Sequence, residues 1–253
     1  MADNSTPRTW GGADRPHEEV DRGPRLRPPL FGLRPRPRRV IQAWRIVENQ
    51  ANLYGFRAAA NAEKALYLEE IIETTKPAPL TAGWDKLIAA PFRHPLPVPH
   101  ARQARFRPPF SNRNILYCSK ELLTALYEHA FHYLRERVHL KGVREAGQRT
   151  AFALFIEPKA VTDIRHRRDA KALTARKDYA ASHAYISKNP TVRVIAYPSC
   201  RDPKRGLNYA ALDINAVGRT TGERRAISFY FDQSQGSILW TDFDLPIRWA
   251  EVA

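Results

Sequence analysis

Residues 105–128 read RFRPPFSNRNILYCSKELLTALYE and contain three local patterns in a row. The Pro pair at 108–109 predicts a turn, and the run NILY at 114–117 is largely apolar. The segment SKELLTALYEHAFHYLRERV at 119–138 has apolar residues at three- and four-residue steps. That spacing predicts a helix with Ser119 as its N-cap and with one apolar face, formed by Leu122, Leu123, Leu126, Ala130, Tyr133 and Leu134.

Three polar residues of this stretch are candidates for chemistry, and each also has an ordinary structural interpretation. Glu128 lies off the apolar face of the predicted helix, near Phe131 and Arg135, where a solvated Glu is typical. Arg105 precedes the turn, where surface charge is common, and Tyr117 ends the apolar run, where a core or sheet-edge Tyr is common. The local patterns leave both interpretations open.

The chain after residue 140 alternates between strand and helix patterns. A helix is predicted in ARKDYAASHAYISK at 175–188. Strands are predicted in RTAFALFIEP (149–158), TVRVIAYPS (191–199), GLNYAALDI (206–214), RRAISFYFD (224–232) and GSILWTDFD (236–244). Strands separated by single helices, with a strand-rich C-terminal half, predict an α/β or α+β domain with a mixed sheet and flanking helices.

The chain before residue 105 falls into two different segments. Residues 1–40 are rich in Pro and Arg and poor in apolar residues, so a flexible tail is expected. Residues 41–90 are expected to form a helical preface and linker, with helices over 40–56 and 61–76 and an irregular connection over 77–100. The main domain is therefore expected over residues 91–253.

Composition limits the classes of protein that the chain can represent. The 253 residues carry a formal net charge of +15, to which the first 40 residues contribute +4 and the remainder +11. A basic folded part suits nucleic acid, an acidic protein or a phosphate-bearing small molecule. Only two Cys are present, and no apolar run reaches the roughly 18 residues of a membrane span. A cytoplasmic protein without a membrane partner is expected.

Ser199 is a further candidate because of its place in the predicted sheet. It follows the strand VRVIAY and opens the turn PSCRDPKRG, at the strand end where open sheets bind ligands, although a turn-forming Ser is the ordinary interpretation. The sequence has no G-x-S-x-G, G-x-G-x-x-G or P-loop motif. No metal is expected, because ligand spacing with acidic or Cys partners is missing around His129, His132 and His139.

Taken together and in order, five stretches resemble the RES-domain family, named for Arg, Glu and Ser. They are PFRH, ARFRPP, NILYCSKELLTALYEH, DYAASHAYI and VIAYPSCRDPKRGLNYAAL, within residues 91–215. The resemblance implies a compact domain similar to ADP-ribosyltransferases. It also implies a toxin-like enzyme that consumes NAD as its substrate, without a metal, and that is restrained by an antitoxin protein.

The resemblance assigns roles to five positions. Glu128, Ser199 and Tyr117 correspond to catalytic positions, whereas Arg93 and Arg105 correspond to the two arginines that bind NAD. Arg45 is the poorer arginine candidate, because it falls in the expected helical preface. The family pattern has Tyr and Gly where this chain has His94 and Ala104.

The reaction depends on the acceptor of the ADP-ribosyl group, which the sequence leaves open. Water gives NAD hydrolysis, inorganic phosphate gives phosphorolysis and a protein side chain gives ADP-ribosylation. Two alternative functions also stay open: a RES-like interaction module without catalysis, and a basic nucleic-acid-binding protein. Nucleic acid is not the expected partner, because no recognition helix or aromatic RNA motif is evident.

Overall fold

A computed structural model describes residues 40–48, 83–93, 104–109, 111 and 113–253. It also describes four helical residues of the 61–76 segment, which are Glu63, Lys64, Tyr67 and Ile71. The helical conformation of these four residues agrees with the helix expected over residues 61–76. The tail expected over residues 1–40 lies outside the described residues, apart from Val40.

The described residues form a nine-stranded mixed sheet with the strand order β4-β5-β6-β2-β1-β3-β7-β8-β9. The pair β4–β5 is parallel and the other neighbours are antiparallel. The strands are β1 (Ile41–Glu48), β2 (Leu116–Ser119), β3 (Arg144–Ile156), β4 (Val161–Asp163), β5 (Val194–Pro198), β6 (Leu207–Ala211), β7 (Arg224–Asp232), β8 (Ser237–Trp240) and β9 (Leu245–Arg248). The α/β fold class with a mixed sheet is thus confirmed.

Five α-helices with complete bounds flank this sheet in the described part of the chain. They are α1 (Lys86–Arg93), α2 (Leu122–Arg137), α3 (Ala170–Leu173), α4 (Ala180–Lys188) and α5 (Trp249–Val252). None of the helices so described is long and apolar enough to span a bilayer.

Strand β3 is the central element of the sheet. Its residues 151–154 are buried without interruption, because apolar clusters cover both faces of the sheet at this point. Strand β1 pairs with it over its whole length, from Ile41 opposite Ile156 to Glu48 opposite Arg149.

The helix expected over residues 40–56 is wrong for residues 41–48, which form β1. The segment IQAWRIVE places Trp44 and Ile46 in one buried cluster and Ala43 in another, on opposite faces of the sheet. A short apolar run of this kind fits a helix or a buried strand equally well by its period. The segment forms a strand because it pairs with β3, which lies more than 100 positions away in the chain.

The irregular connection expected over residues 77–100 is also wrong in part, because it contains α1. The Asp85 side chain accepts a hydrogen bond from the backbone N–H of Leu87 at 2.9 Å, close to the start of this helix. Ile88 and Ala89 are buried and give the helix an apolar face.

Helix α2 is confirmed, with two differences in detail. Its N-cap is Glu121, without a side-chain cap hydrogen bond, whereas the expected cap Ser119 is the last residue of β2. Leu123, expected on the buried face, is 37% exposed, and Phe131, on the face of Glu128, is buried. The side of α2 that carries Glu128 therefore faces protein as well as solvent.

Gly206 fixes the approach of the turn after β5 to α2. A Cβ at this position would overlap Thr124 Oγ1 and lie 2.6 Å from Asp202 Oδ2. These two buried side chains share a hydrogen bond of 2.7 Å. Only a residue without a side chain allows this contact.

We expect Gly206→Ala to lower the free energy of unfolding by about 1–3 kcal/mol, because the turn or α2 must shift to admit the methyl group. Urea denaturation of the purified protein measures this loss. Gly218→Ala is the matched control, since its Cβ would meet Phe155 at an ordinary 3.4 Å. Equal stability of the two variants would contradict the packing described for Gly206.

Candidate active site

A cavity of about 370 Å³ opens beside α2 and the central strands. Its lining includes five arginines, which are Arg45, Arg105, Arg107, Arg135 and Arg201. Glu128 is the one carboxylate among the described residues that line it. The excess of guanidinium groups makes the cavity suitable for an anionic ligand.

Two short hydrogen bonds hold the Glu128 carboxylate. Ser199 Oγ donates to Glu128 Oε1 at 2.6 Å, and Asn208 Nδ2 donates to the same oxygen at 2.6 Å. No described residue donates a hydrogen bond to Oε2. One oxygen of the carboxylate is therefore fixed by the protein, while the other has capacity for a ligand.

The two donors to Glu128 are themselves oriented by buried partners. Ser199 is fully buried, and its Oγ accepts from the backbone N–H groups of Arg201 at 3.1 Å and Asp202 at 3.0 Å. Asn208 Oδ1 accepts from Ser119 Oγ at 2.7 Å, so the amide turns its Nδ2 towards Glu128. The direction of the carboxylate is thus set from the buried side of the site.

Asn208 and Ser119 were not among the predicted site residues. They lie opposite each other in the β2–β6 pair, a register that no local pattern reveals. The Asn in GLNYAAL belongs to one of the five stretches that resemble the family, and this was the available signal for Asn208.

Arg105 lines the cavity next to the turn that holds Ser199. Its Nη1 donates to the Ala175 carbonyl at 2.7 Å, and its Nη2 donates to Cys200 Sγ at 3.0 Å. The guanidinium lies 5.2 Å from the centre of the Tyr179 ring and 5.9 Å from that of Tyr197. Carbonyl and ring contacts orient this cation without neutralising its charge.

Tyr117 lines the same cavity from β2. Its hydroxyl oxygen accepts from the backbone N–H of Phe106 at 3.4 Å, which leaves the hydroxyl proton for another partner. Burial raises the pKa of Tyr117 to about 12, so the side chain is neutral at physiological pH. Burial, and then the nearby Glu128, also raise the pKa of Tyr197 well above its usual value.

Arg45 lines the cavity, whereas Arg93 does not belong to its described lining. Arg93 is the last residue of α1. Arg45 lies on β1, and its Nη1 donates to the Tyr117 carbonyl at 2.8 Å. Burial lowers the pKa of this guanidinium. Arg93 was ranked first because PFRH resembles the family motif, and Arg45 was ranked lower because it fell in the expected helical preface, where the structure has the strand β1.

The structure thus brings together Glu128, Tyr117 and Arg105 at the cavity, with Ser199 directly behind Glu128. His129 and His132 also line it. Within the described residues, no group of three or more His, Cys, Asp or Glu side chains could hold a metal ion.

The family model of the RES domain matches residues 78–232, which is more than half of the chain. The chain therefore belongs to the RES domain family, and the resemblance drawn from the motifs is confirmed. The match ends within the sheet, so β1 on one side and β8, β9 and α5 on the other lie outside it. A search of the curated proteins gave no match.

The association of the family with NAD is consistent with the positive charge of the cavity. The RES domain is linked to toxin-like action on NAD and to antitoxin partners. NAD contains a pyrophosphate, and forked guanidinium groups bind such anions through paired hydrogen bonds.

His129 provides a test of the cavity wall through the pH dependence of stability. Burial, and then the nearby Arg149 cation, lower the pKa of His129 to about 3. The unfolded chain has a His pKa of about 6.5, so between these values protons bind preferentially to the unfolded state. The folded state therefore loses stability as the pH falls below about 6.5.

We expect the wild-type protein to lose about 1 kcal/mol more unfolding free energy than His129→Phe between pH 6.5 and pH 5.5. Urea denaturation at the two pH values measures the difference. His139→Phe, at an exposed position outside the cavity, controls for the chemical change. The same loss in the wild type and His129→Phe would show that the folded protein does not lower the pKa of His129.

Proposed function

We propose that the protein cleaves the bond between nicotinamide and ribose of NAD in this cavity. The observation that carries the proposal is the environment of Glu128, the one carboxylate in the described lining, held by two 2.6 Å hydrogen bonds among five arginines. A site of this kind presents one fixed negative charge to a sugar and several positive charges to a pyrophosphate.

The reaction needs a negative charge beside the ribose. When the bond between the ribose carbon and the pyridinium nitrogen breaks, its electron pair goes to the nitrogen and nicotinamide leaves as a neutral molecule. Positive charge develops on the ribose carbon, and the nearby carboxylate stabilises it. Because Ser199 and Asn208 already orient Glu128, little reorganisation is required during the reaction.

The other cavity residues suit binding and orientation. The guanidinium of Arg105 would bind the pyrophosphate, and Tyr117 would contact the nicotinamide end through its neutral hydroxyl or its ring. Ser199 has no exposed surface, so its role in the proposal is to position Glu128 rather than to contact the substrate.

The released ribosyl carbon must form a bond with an acceptor oxygen or another nucleophile, which then loses a proton. Water, inorganic phosphate and a protein side chain correspond to hydrolysis, phosphorolysis and ADP-ribosylation. As the family association suggests, we propose that the protein acts as a toxin and that an antitoxin protein restrains it by covering the cavity.

We expect purified protein to release nicotinamide from NAD, and Glu128→Gln to lower kcat by at least about 100-fold, because a neutral amide cannot stabilise the developing positive charge. Chromatography of nicotinamide against time measures the rate. Glu121→Gln, an exposed change at the start of the same helix, should retain wild-type activity.

The same assay identifies the acceptor and can reject the proposal. A rate that rises with inorganic phosphate indicates phosphorolysis, and a phosphate-independent rate indicates hydrolysis. If NAD labelled in its ADP-ribose part transfers the label to protein, and free ADP-ribose does not form, the reaction is ADP-ribosylation. If wild type and Glu128→Gln release nicotinamide at the same rate, or if neither does so with any acceptor, the proposed function is wrong.

Asn208→Ala should lower kcat about 10- to 100-fold with little change in KM, because one charge-assisted hydrogen bond to Glu128 is lost. Steady-state kinetics separate the two constants. Asn215→Ala, at an exposed Asn outside the cavity, is the control. A change confined to KM would place Asn208 in substrate binding instead of in the orientation of Glu128.

A further inference from the structure

Helix α2 forms one wall of the cavity along two turns. Glu128 and Arg135 are seven positions apart, so they lie on nearly the same face of the helix, separated by about 10 Å along its axis. Glu128 is partly buried, whereas Arg135 is exposed. The more exposed end of the cavity along α2 is therefore at Arg135.

Two guanidinium groups lie near the ring of Phe131, which is between Glu128 and Arg135 along α2. The Arg201 guanidinium lies 3.6 Å from the centre of the Phe131 ring, and that of Arg135 lies 5.4 Å from it. Arg201 is 4% exposed and is held by the Val252 carbonyl at 2.6 Å. No carboxylate in the described part of the chain forms an ion pair with either guanidinium.

Two like charges beside one ring, without a carboxylate partner among the described residues, favour the binding of an anion. Arg105 lies near the Glu128 end of the cavity, because its Nη2 donates to Cys200 Sγ and Cys200 follows Ser199, which holds Glu128. Of the lining arginines, Arg105 thus lies close to Glu128, Arg201 lies at Phe131, and Arg135 lies at the more exposed end.

We propose that Arg135 and Arg201 bind the adenosine-side phosphate of a nicotinamide dinucleotide. The dinucleotide then lies along α2, with its nicotinamide ribose at Glu128 and its adenosine towards the more exposed end at Arg135. The adenosine-side phosphate is one ribose and one phosphate beyond the reacting carbon, so an extended dinucleotide reaches from Glu128 towards Arg135. This assignment rests on the proposed function for the identity of the ligand.

Titration of ADP into the full-length protein by calorimetry tests the phosphate site without any turnover. We expect Arg135→Gln to weaken ADP binding about tenfold or more, because charge-assisted hydrogen bonds to the phosphate are lost. Arg168→Gln removes the same charge at an exposed position outside the cavity and should leave the affinity unchanged.

The outcomes of the ADP titration are decisive. The assignment is overturned if wild type and Arg135→Gln bind ADP with equal affinity, or if Arg135→Gln and Arg168→Gln weaken ADP binding equally. It is also overturned if the wild type does not bind ADP. Weakening in Arg135→Gln alone supports it. Failure of the wild type to release nicotinamide from NAD would reject the proposed function while leaving this binding result standing.

The orientation has its own test with nicotinamide mononucleotide, which lacks the adenosine-side phosphate. Titrated into Glu128→Gln, which prevents its consumption, this ligand should bind with the same affinity whether or not Arg135→Gln is also present. If the added change weakens mononucleotide binding as much as ADP binding, Arg135 contacts the nicotinamide-side phosphate and the orientation is wrong.

Discussion

The contact on which the site depends is the pair of hydrogen bonds from Ser199 and Asn208 to Glu128 Oε1, each 2.6 Å long. A carboxylate that leaves water is costly unless donors replace its lost hydration. Here one donor comes from β6 and the other from the turn after β5, so the two bonds join α2 to one half of the sheet. Gly206 permits the close approach of that turn, and Ser119 fixes the Asn208 amide.

The cavity keeps positive charge because three of its lining arginines are held by backbone carbonyls. Arg45, Arg105 and Arg201 donate to the carbonyls of Tyr117, Ala175 and Val252, respectively. A carbonyl orients a guanidinium but adds no negative charge, whereas a carboxylate would neutralise it. A ligand phosphate therefore meets oriented cations, and Glu128 supplies the opposite charge at the less exposed end of α2 in the cavity.

The sequence predicted elements whose pattern is local and missed those that depend on distant pairing. Helix α2 and strands β3, β5, β6, β7 and β8 have clear periods and were found. Strand β1 was predicted as a helix, because IQAWRIVE fits both structures until β3 lies beside it. The same error placed Arg45 away from the site.

The site was only partly predictable for a related reason. Glu128, Tyr117, Arg105 and Ser199 came from the ordered motifs of the family, since each has an ordinary local interpretation as a surface, core or turn residue. The partners that orient Glu128 could not be found in this way, because the contact of Asn208 with Ser119 depends on the β2–β6 register. The helical pattern alone placed Glu128 on the protein surface. It lines a cavity because the sheet and the turn after β5 pack beside this helix.

The most direct test of the proposed site is a crystal structure of the Glu128→Gln variant with NAD. We expect an intact dinucleotide in the cavity, with the nicotinamide ribose within hydrogen-bond distance of residue 128 and the pyrophosphate among the arginines. A dinucleotide bound elsewhere, or one whose nicotinamide ribose lies far from residue 128, would contradict the proposed site.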